Sequence, residues 1–133
     1  AFGEDVLRGV VDRVKAVAEG TAADGWKLRD VVPALHALAI VPANRGVLAR
    51  GEFRVVSTLV RVLRRCVEDG DASNAEDAAE TLALLAAETD GKRQVKEEAS
   101  LATELGGVLS AISALPTAVW GRTHGLLQDL QDQ

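Results

Sequence analysis

Residues 44–53, NRGVLARGEF, lie between two long apolar stretches and decide how this chain folds. The stretch before them has helical periodicity and must end near Pro42, because the residue before a proline is pushed out of the α region. The segment is long enough for two helical turns at most before Gly51, where we expect the chain to turn. Phe53 then begins another long amphipathic stretch. A second short segment, KRQVKEEASL at 92–101, interrupts the chain in a similar way.

The composition is that of a helical globular domain. The chain has 133 residues, of which 47% are hydrophobic, 26% charged and only 3% aromatic, and this favours closely packed helices over a β-sandwich. The net charge of −5 argues against nucleic-acid binding, which uses a basic surface. No stretch approaches the roughly 18–20 consecutive apolar residues of a membrane span, so we expect no membrane association.

The single cysteine and the absence of methionine indicate where the protein is located and whether it belongs to a longer chain. Cys66 is the only cysteine, which excludes an internal disulfide and is typical of a reducing compartment. We therefore expect an intracellular, cytoplasmic protein. The sequence starts at Ala1 and contains no methionine, so we interpret it as a piece of a longer protein or as a processed product, and the parent chain could carry further repeats or domains.

Apolar residues recur at intervals of three and four rather than two, which predicts helices and no strands. The first two predicted long helices occupy 4–18 and the stretch from Asp30, its cap, to about Val41. The third runs from Phe53 to about Glu68, and the fourth from a cap at Ser73 or Asn74 to the ETDG segment at 88–91. The last two occupy 100–114 and 117–130.

The chain contains an internal repeat. Residues 35–63 align with residues 82–109 at a spacing of about 46 to 48, close to the length of armadillo and HEAT units. The matched positions include Leu35 with Leu82, Leu38 with Leu85, Arg45 with Arg93, and Phe53 with Leu101. Each unit consists of a medium helix, a short helix and a long helix.

This pattern resembles the armadillo family, whose repeats place an Asn-Arg or similar pair and a short segment ending in glycine before a long third helix. NRGVLARGEFRVVSTLVRVLRR, beginning at Asn44, carries the resemblance best. The resemblance implies an all-α, right-handed α-solenoid of armadillo-like repeats. Two full repeats at 26–71 and 72–115 would be flanked by partial repeats at 1–25 and 116–133.

Two alternatives remain open. In the second copy Lys92 replaces the asparagine and Ala99 stands at the position of Gly51, so a HEAT-type repeat is one alternative. The other is an irregular helical bundle, in which the similarity of the two copies reflects only the Ala, Val and Leu content.

No residue pattern predicts catalysis, a cofactor or a metal site. His36, His124 and Cys66 match no zinc-ligand spacing. Cys66 follows two arginines, which would lower its pKa and make it reactive, but we favour a small apolar residue on the inner side of the long helix. We therefore predict that the chain is not an enzyme.

The distribution of charge predicts a binding surface. Residues 68–90 contain many acidic side chains and no lysine or arginine. Before them, Arg54, Arg61 and Arg65 share one helix face, with Ser57 between them. The armadillo resemblance would place this face in a groove lined by third helices, although an ordinary solvated surface has the same pattern.

The predicted function is a protein-interaction scaffold. Its partner would be a protein or peptide segment, acidic or phosphorylated, because guanidinium groups bind carboxylates and phosphates through two parallel hydrogen bonds. The alternative is a compact helical bundle that acts as an oligomerisation or regulatory domain of a larger protein.

Overall fold

The computed structural model describes residues 3–21 and 25–132, and these are almost entirely helical. No strand occurs among the described residues, so the all-α prediction is confirmed. The helices are α1 (Glu4–Glu19), α2 (Leu28–Ile40), α3 (Pro42–Leu48), α4 (Val55–Asp69), α5 (Ala72–Ala86), α6 (Thr89–Glu97), α7 (Ala99–Ser113) and α8 (Thr117–Asp132). A short 3₁₀ turn, Gly51–Phe53, lies between α3 and α4.

The helices follow one another in a recurring order of long, short and long. The helices α2, α3 and α4 are succeeded by α5, α6 and α7, and the first residues of α2, α5 and α8 recur about every 45 residues. The chain bends by 114° between α2 and α3. Pro42, the first residue of α3, forces this bend, since Val41 before it is extended (φ −77°, ψ 118°).

The long helices pack in two rows. One row contains α2, α5 and α8, the other contains α1, α4 and α7, and each helix contacts the next member of its own row. Contacts between α1 and α2, α4 and α5, and α7 and α8 join the rows. Aliphatic side chains fill the space between them, among them Leu7, Leu35, Leu59, Leu63, Leu82, Leu85, Ile112 and Leu127.

The helices α1 and α4 end in the same way. Gly20 and Gly70 both have a left-handed backbone, with φ of 76° and 71°. The residue after each glycine donates its N–H to a carbonyl five positions back, at 2.8 Å in both cases. This closure supplies partners for the free carbonyls of the last turn, and glycine adopts the required backbone without steric cost.

The starts of α2 and α5 differ from the prediction. Asp30 is not the cap of α2, which begins two residues earlier at Leu28; its carboxylate instead accepts the N–H of Lys27 at 2.8 Å. The cap of α5 is Asp71 rather than Ser73 or Asn74. Its two carboxylate oxygens accept the backbone N–H and the side-chain amide of Asn74, at 3.1 and 2.6 Å.

The turn into α4 also differs from the prediction. Gly51 opens the 3₁₀ turn, and its φ is not in the positive range. Arg54 is the residue that turns the chain, with φ 54° and ψ 32°, the left-handed region that side chains other than glycine rarely adopt. Because the glycine does not make the turn from α3 into α4, the corresponding turn from α6 into α7 does not need a glycine either.

Among the described residues, no single helix is both long and apolar enough to cross a membrane; α2 and α3 together meet that length and hydropathy, but only across their bend.

Candidate partner-binding face

Arg54 and Ser57 mark the beginning of the predicted basic stripe. The Arg54 carbonyl accepts the Ser57 hydroxyl at 3.1 Å and the Thr58 hydroxyl at 2.8 Å, so the turn before α4 is tied to the first turn of the helix. The Arg54 side chain is exposed. Its guanidinium makes no hydrogen bond or ion pair with any residue that the structure describes. It is therefore available to a ligand.

Arg61 and Arg65, further along α4, are engaged by the end of α1. Arg61 Nη1 donates to Glu19 Oε1 at 2.6 Å. Arg65 Nη1 donates to the carbonyls of Val17 and Ala18, each at 3.1 Å. Carbonyls in the last turn of a helix lack intrahelical partners and carry partial negative charge, which explains the attraction. Two of the four predicted binding residues thus also join α1 to α4.

A cleft of 340 Å³ between α4 and α7 brings three of the four predicted residues together. Arg54, Ser57 and Arg61 form one wall, and Arg65 does not line this cleft. The other wall is formed mainly by polar side chains: Gln94, Glu98, Ser100 and Glu104. The cleft is therefore basic on its α4 side and acidic on its α7 side.

A second cleft, of 510 Å³, continues along the same face of α4. Arg61, Arg64 and Arg65 line it together with Ala18 from α1 and two acidic residues, Glu68 and Asp69. Arg61 belongs to both clefts, so the two form one continuous polar surface across the row of α1, α4 and α7. All four predicted residues lie on this surface, which we call the long-helix face.

Cys66 lies on the opposite, inner side of α4. It is fully buried, and burial raises the pKa of its thiol to about 12, with further contributions from Asp71 and Asp69. Arg65 acts in the opposite direction, but its effect is smaller. The favoured interpretation of Cys66 as a packed apolar residue on the inner side of the helix is confirmed by its burial, and a raised pKa is the opposite of what a reactive thiolate needs.

A polar network joins α2, α5 and α8, and the sequence did not predict it. His36 Nε2 of α2 lies 3.1 Å from Glu80 Oε2 of α5. Arg122 of α8 bonds to Glu80 Oε1, and its Nε lies 3.0 Å from Glu76 Oε1. Through this network Arg122 provides a cationic partner for an acidic stretch that has no lysine or arginine nearby in sequence. The sequence carries no direct signal for this network, because its members lie on three different helices and meet only through the packing of α2, α5 and α8.

Ser113 and His124 form a serine–histidine pair at a smaller cleft between α7 and α8. The Ser113 hydroxyl donates to the Leu109 carbonyl at 2.9 Å, and its oxygen lies 3.1 Å from His124 Nε2. The Leu109 carbonyl and His124 Nε2 both lie within reach of the single hydroxyl proton, and the direction of the contact with His124 depends on the tautomer of its imidazole.

No protein-family model matches this chain, and no curated protein or solved structure is significantly similar to it. The function therefore has to be argued from the geometry of the chain itself.

Proposed function

We propose that this protein is an armadillo-like α-solenoid that acts as a protein-interaction scaffold and binds a partner segment along its long-helix face. The repeated order of long, short and long helices and the two rows of long helices support the solenoid. Stacked repeats present extended surfaces, and binding is their usual role.

The observation that carries the proposal is the conformation of Arg54. A non-glycine residue in the left-handed region costs about 1–3 kcal/mol, and such residues concentrate at functional sites. Glycine would remove this cost, yet the position holds an arginine whose guanidinium has no partner among the described residues. That guanidinium stands at a cleft beside a hydroxyl and a second guanidinium, those of Ser57 and Arg61.

The charges of the cleft define the partner segment. Arg54 and Arg61 suit a phosphate or a carboxylate, which both accept charge-assisted hydrogen bonds from guanidinium. Glu98 and Glu104 on the facing wall would repel a uniformly acidic peptide. The best match is an extended segment with one phosphoserine or short acidic group towards α4 and a basic residue towards α7.

The proposal can be tested by fluorescence polarisation with phosphoserine peptides that carry a lysine a few residues away, alongside their unphosphorylated forms. We expect phosphate-dependent binding that Arg54→Glu weakens about 10- to 100-fold, since a charge-assisted hydrogen bond contributes about 1.5–3 kcal/mol. Lys92→Glu is the matched control, because it makes the same charge reversal on α6 at an exposed residue outside the cleft.

Equal affinity of the two variants for these peptides, or no difference between phosphorylated and unphosphorylated forms, would exclude the long-helix face as the binding surface. Arg54 is preferable to Arg61 or Arg65 for this test, because those two arginines also bond to α1.

A further inference from the structure

The network between α2 and α5 contains three metal-ligating groups. The ligand atoms of His36, Asp77 and Glu80 all lie within 4.8 Å of one another, and all three residues are half-buried. Asp77 and Glu80 are three apart on α5 and hence share one face, while His36 approaches from the neighbouring helix. We infer that His36, Asp77 and Glu80 form a Zn²⁺ site that joins α2 to α5.

The local charge favours a divalent cation. Three carboxylates lie close together on α5, and Arg122 pairs with two of them, Glu76 and Glu80, which leaves that of Asp77 without an ion pair among the described residues. The Asp77 carboxylate accepts no hydrogen bond from the described residues. A half-buried carboxylate without a donor, next to a second carboxylate, is stabilised by a cation between them.

Glu80 is already oriented for metal binding. Its Oε1 is held by Arg122, which leaves Oε2 facing His36 Nε2 at 3.1 Å. Carboxylates that bind metals are commonly held in this way by a hydrogen bond to their second oxygen. The ion would lie between His36 Nε2 and Glu80 Oε2, with the Asp77 carboxylate as its third ligand.

The ligand set selects zinc over the harder ions. Ca²⁺ and Mg²⁺ prefer oxygen ligands alone, whereas one imidazole and two carboxylates suit Zn²⁺ or Co²⁺. Bond lengths of about 2.0–2.2 Å separate neighbouring ligand atoms of a tetrahedral zinc ion by roughly 3.4 Å. His36 Nε2 and Glu80 Oε2, 3.1 Å apart, are already close to that spacing, and rotation of the Asp77 side chain would bring its carboxylate to the same distance. The side chains of His36 and Glu80 are 21% and 22% exposed, so water can occupy the remaining coordination position.

The site can be tested by titrating the metal-free chain with Zn²⁺ and, separately, with Co²⁺. We expect one Zn²⁺ per chain by calorimetry, a Co²⁺ absorption band in the visible range, and a Tm about 5–10 °C higher at a free Zn²⁺ concentration of about 100 times the Kd. Mg²⁺ at the same concentration should leave the Tm unchanged.

His36→Ala and Asp77→Asn should each weaken Zn²⁺ binding more than 10-fold, since loss even of an outer partner of a metal ligand costs about 10–100-fold. His124→Ala is the control, because it removes the other histidine of the chain, outside the cluster. Circular dichroism verifies that each variant is folded. Absence of stoichiometric Zn²⁺ binding, or binding that is unchanged in His36→Ala or lost in His124→Ala, would overturn the inference.

Discussion

At the scale of single residues, Gly91 marks a close approach between α5 and α6. A Cβ at this position would lie 2.0 Å from the Leu85 carbonyl oxygen and 2.7 Å from its carbon, where α5 ends and α6 begins. Backbone atoms cannot move aside as the end of a side chain can. The glycine of the ETDG segment is therefore explained by contact between α5 and α6.

We predict that Gly91→Ala destabilises the protein by about 2–3 kcal/mol, because the new methyl group forces α5 and α6 apart. Gly46→Ala is the matched control. It lies within α3 with no atom within 4 Å of its Cβ position, so alanine should stabilise the protein by about 0.5–1 kcal/mol. Urea unfolding measures both changes, and similar values for the two variants would contradict the close approach.

Cys66 makes stability depend on pH at the alkaline end. Its folded pKa of about 12 is raised above the ordinary value of 9.0, so the unfolded thiol loses its proton first as the pH rises. The contribution of the protonated thiol to the free energy of unfolding is fully present below pH 9 and is lost between pH 9 and about 12. Over that range the free energy of unfolding falls by at most about 1.4 kcal/mol per pH unit.

Chemical unfolding across this pH window should show a shallower decline in Cys66→Ala than in the parent chain. The variant is less stable at pH 7, since it leaves a small cavity, but its slope lacks the thiol. Lysine and arginine titrate in both proteins and cancel in the comparison. The chain has no tyrosine. Equal slopes would show that the thiol does not keep its proton in the folded state.

At the scale of helices, Arg65 connects the end of α1 to α4. We predict that Arg65→Ala lowers the free energy of unfolding by about 1 kcal/mol, because two carbonyls in the last turn of α1 lose a charged donor at a site that is 41% exposed. Arg64→Ala makes the same change one residue earlier, where the side chain is exposed and has no partner among the described residues.

The Arg64 variant should therefore change stability by less than about 0.5 kcal/mol. Differential scanning calorimetry of the pair measures the contacts that Arg65 makes and Arg64 does not, which are the two hydrogen bonds to α1 and an exposed ion pair with Asp69 at 3.7 Å that contributes little. If both variants lose the same stability, the two hydrogen bonds from Arg65 make no net contribution.

The sequence predicted which helices form more accurately than where they begin. Pro42 and the change in periodicity located α3, but Asp30 and the Ser73–Asn74 pair were wrong as caps. Several acids and hydroxyls near each start can cap a helix, and the choice depends on which first turn packs: burial of Leu28 draws α2 two residues back.

The candidate face was predictable only within one helix. Helical spacing placed Arg54, Ser57 and Arg61 on one side of α4, and these three line a single cleft. The partners of Arg65 and His36 could not be read in this way. Arg65 bonds to a carbonyl 48 positions away, and such contacts depend on how helices stack rather than on local periodicity.

At the scale of the whole molecule, the contacts follow the order of the chain. The helix α1 packs on α2, α3 and α4, the central α5 contacts both neighbours in its row, and α8 packs on α5 and α7. In a stack of repeats, stability is a sum of local and nearest-neighbour terms, so a substitution that destabilises one end affects only the helices near that end. In a compact bundle with one cooperative core, the same substitution lowers the stability of every helix.

Native-state hydrogen exchange of two end variants distinguishes these cases. Leu127→Ala in α8 and Leu7→Ala in α1 each remove a fully buried side chain, at a local cost of about 2–5 kcal/mol. We expect Leu127→Ala to lower protection in α8 and its contacts, α5 and α7, while α1 keeps its protection; Leu7→Ala should give the reverse. Uniform loss across all helices in both variants would contradict the solenoid and favour a compact bundle, because only a single cooperative unit couples α1 to α8.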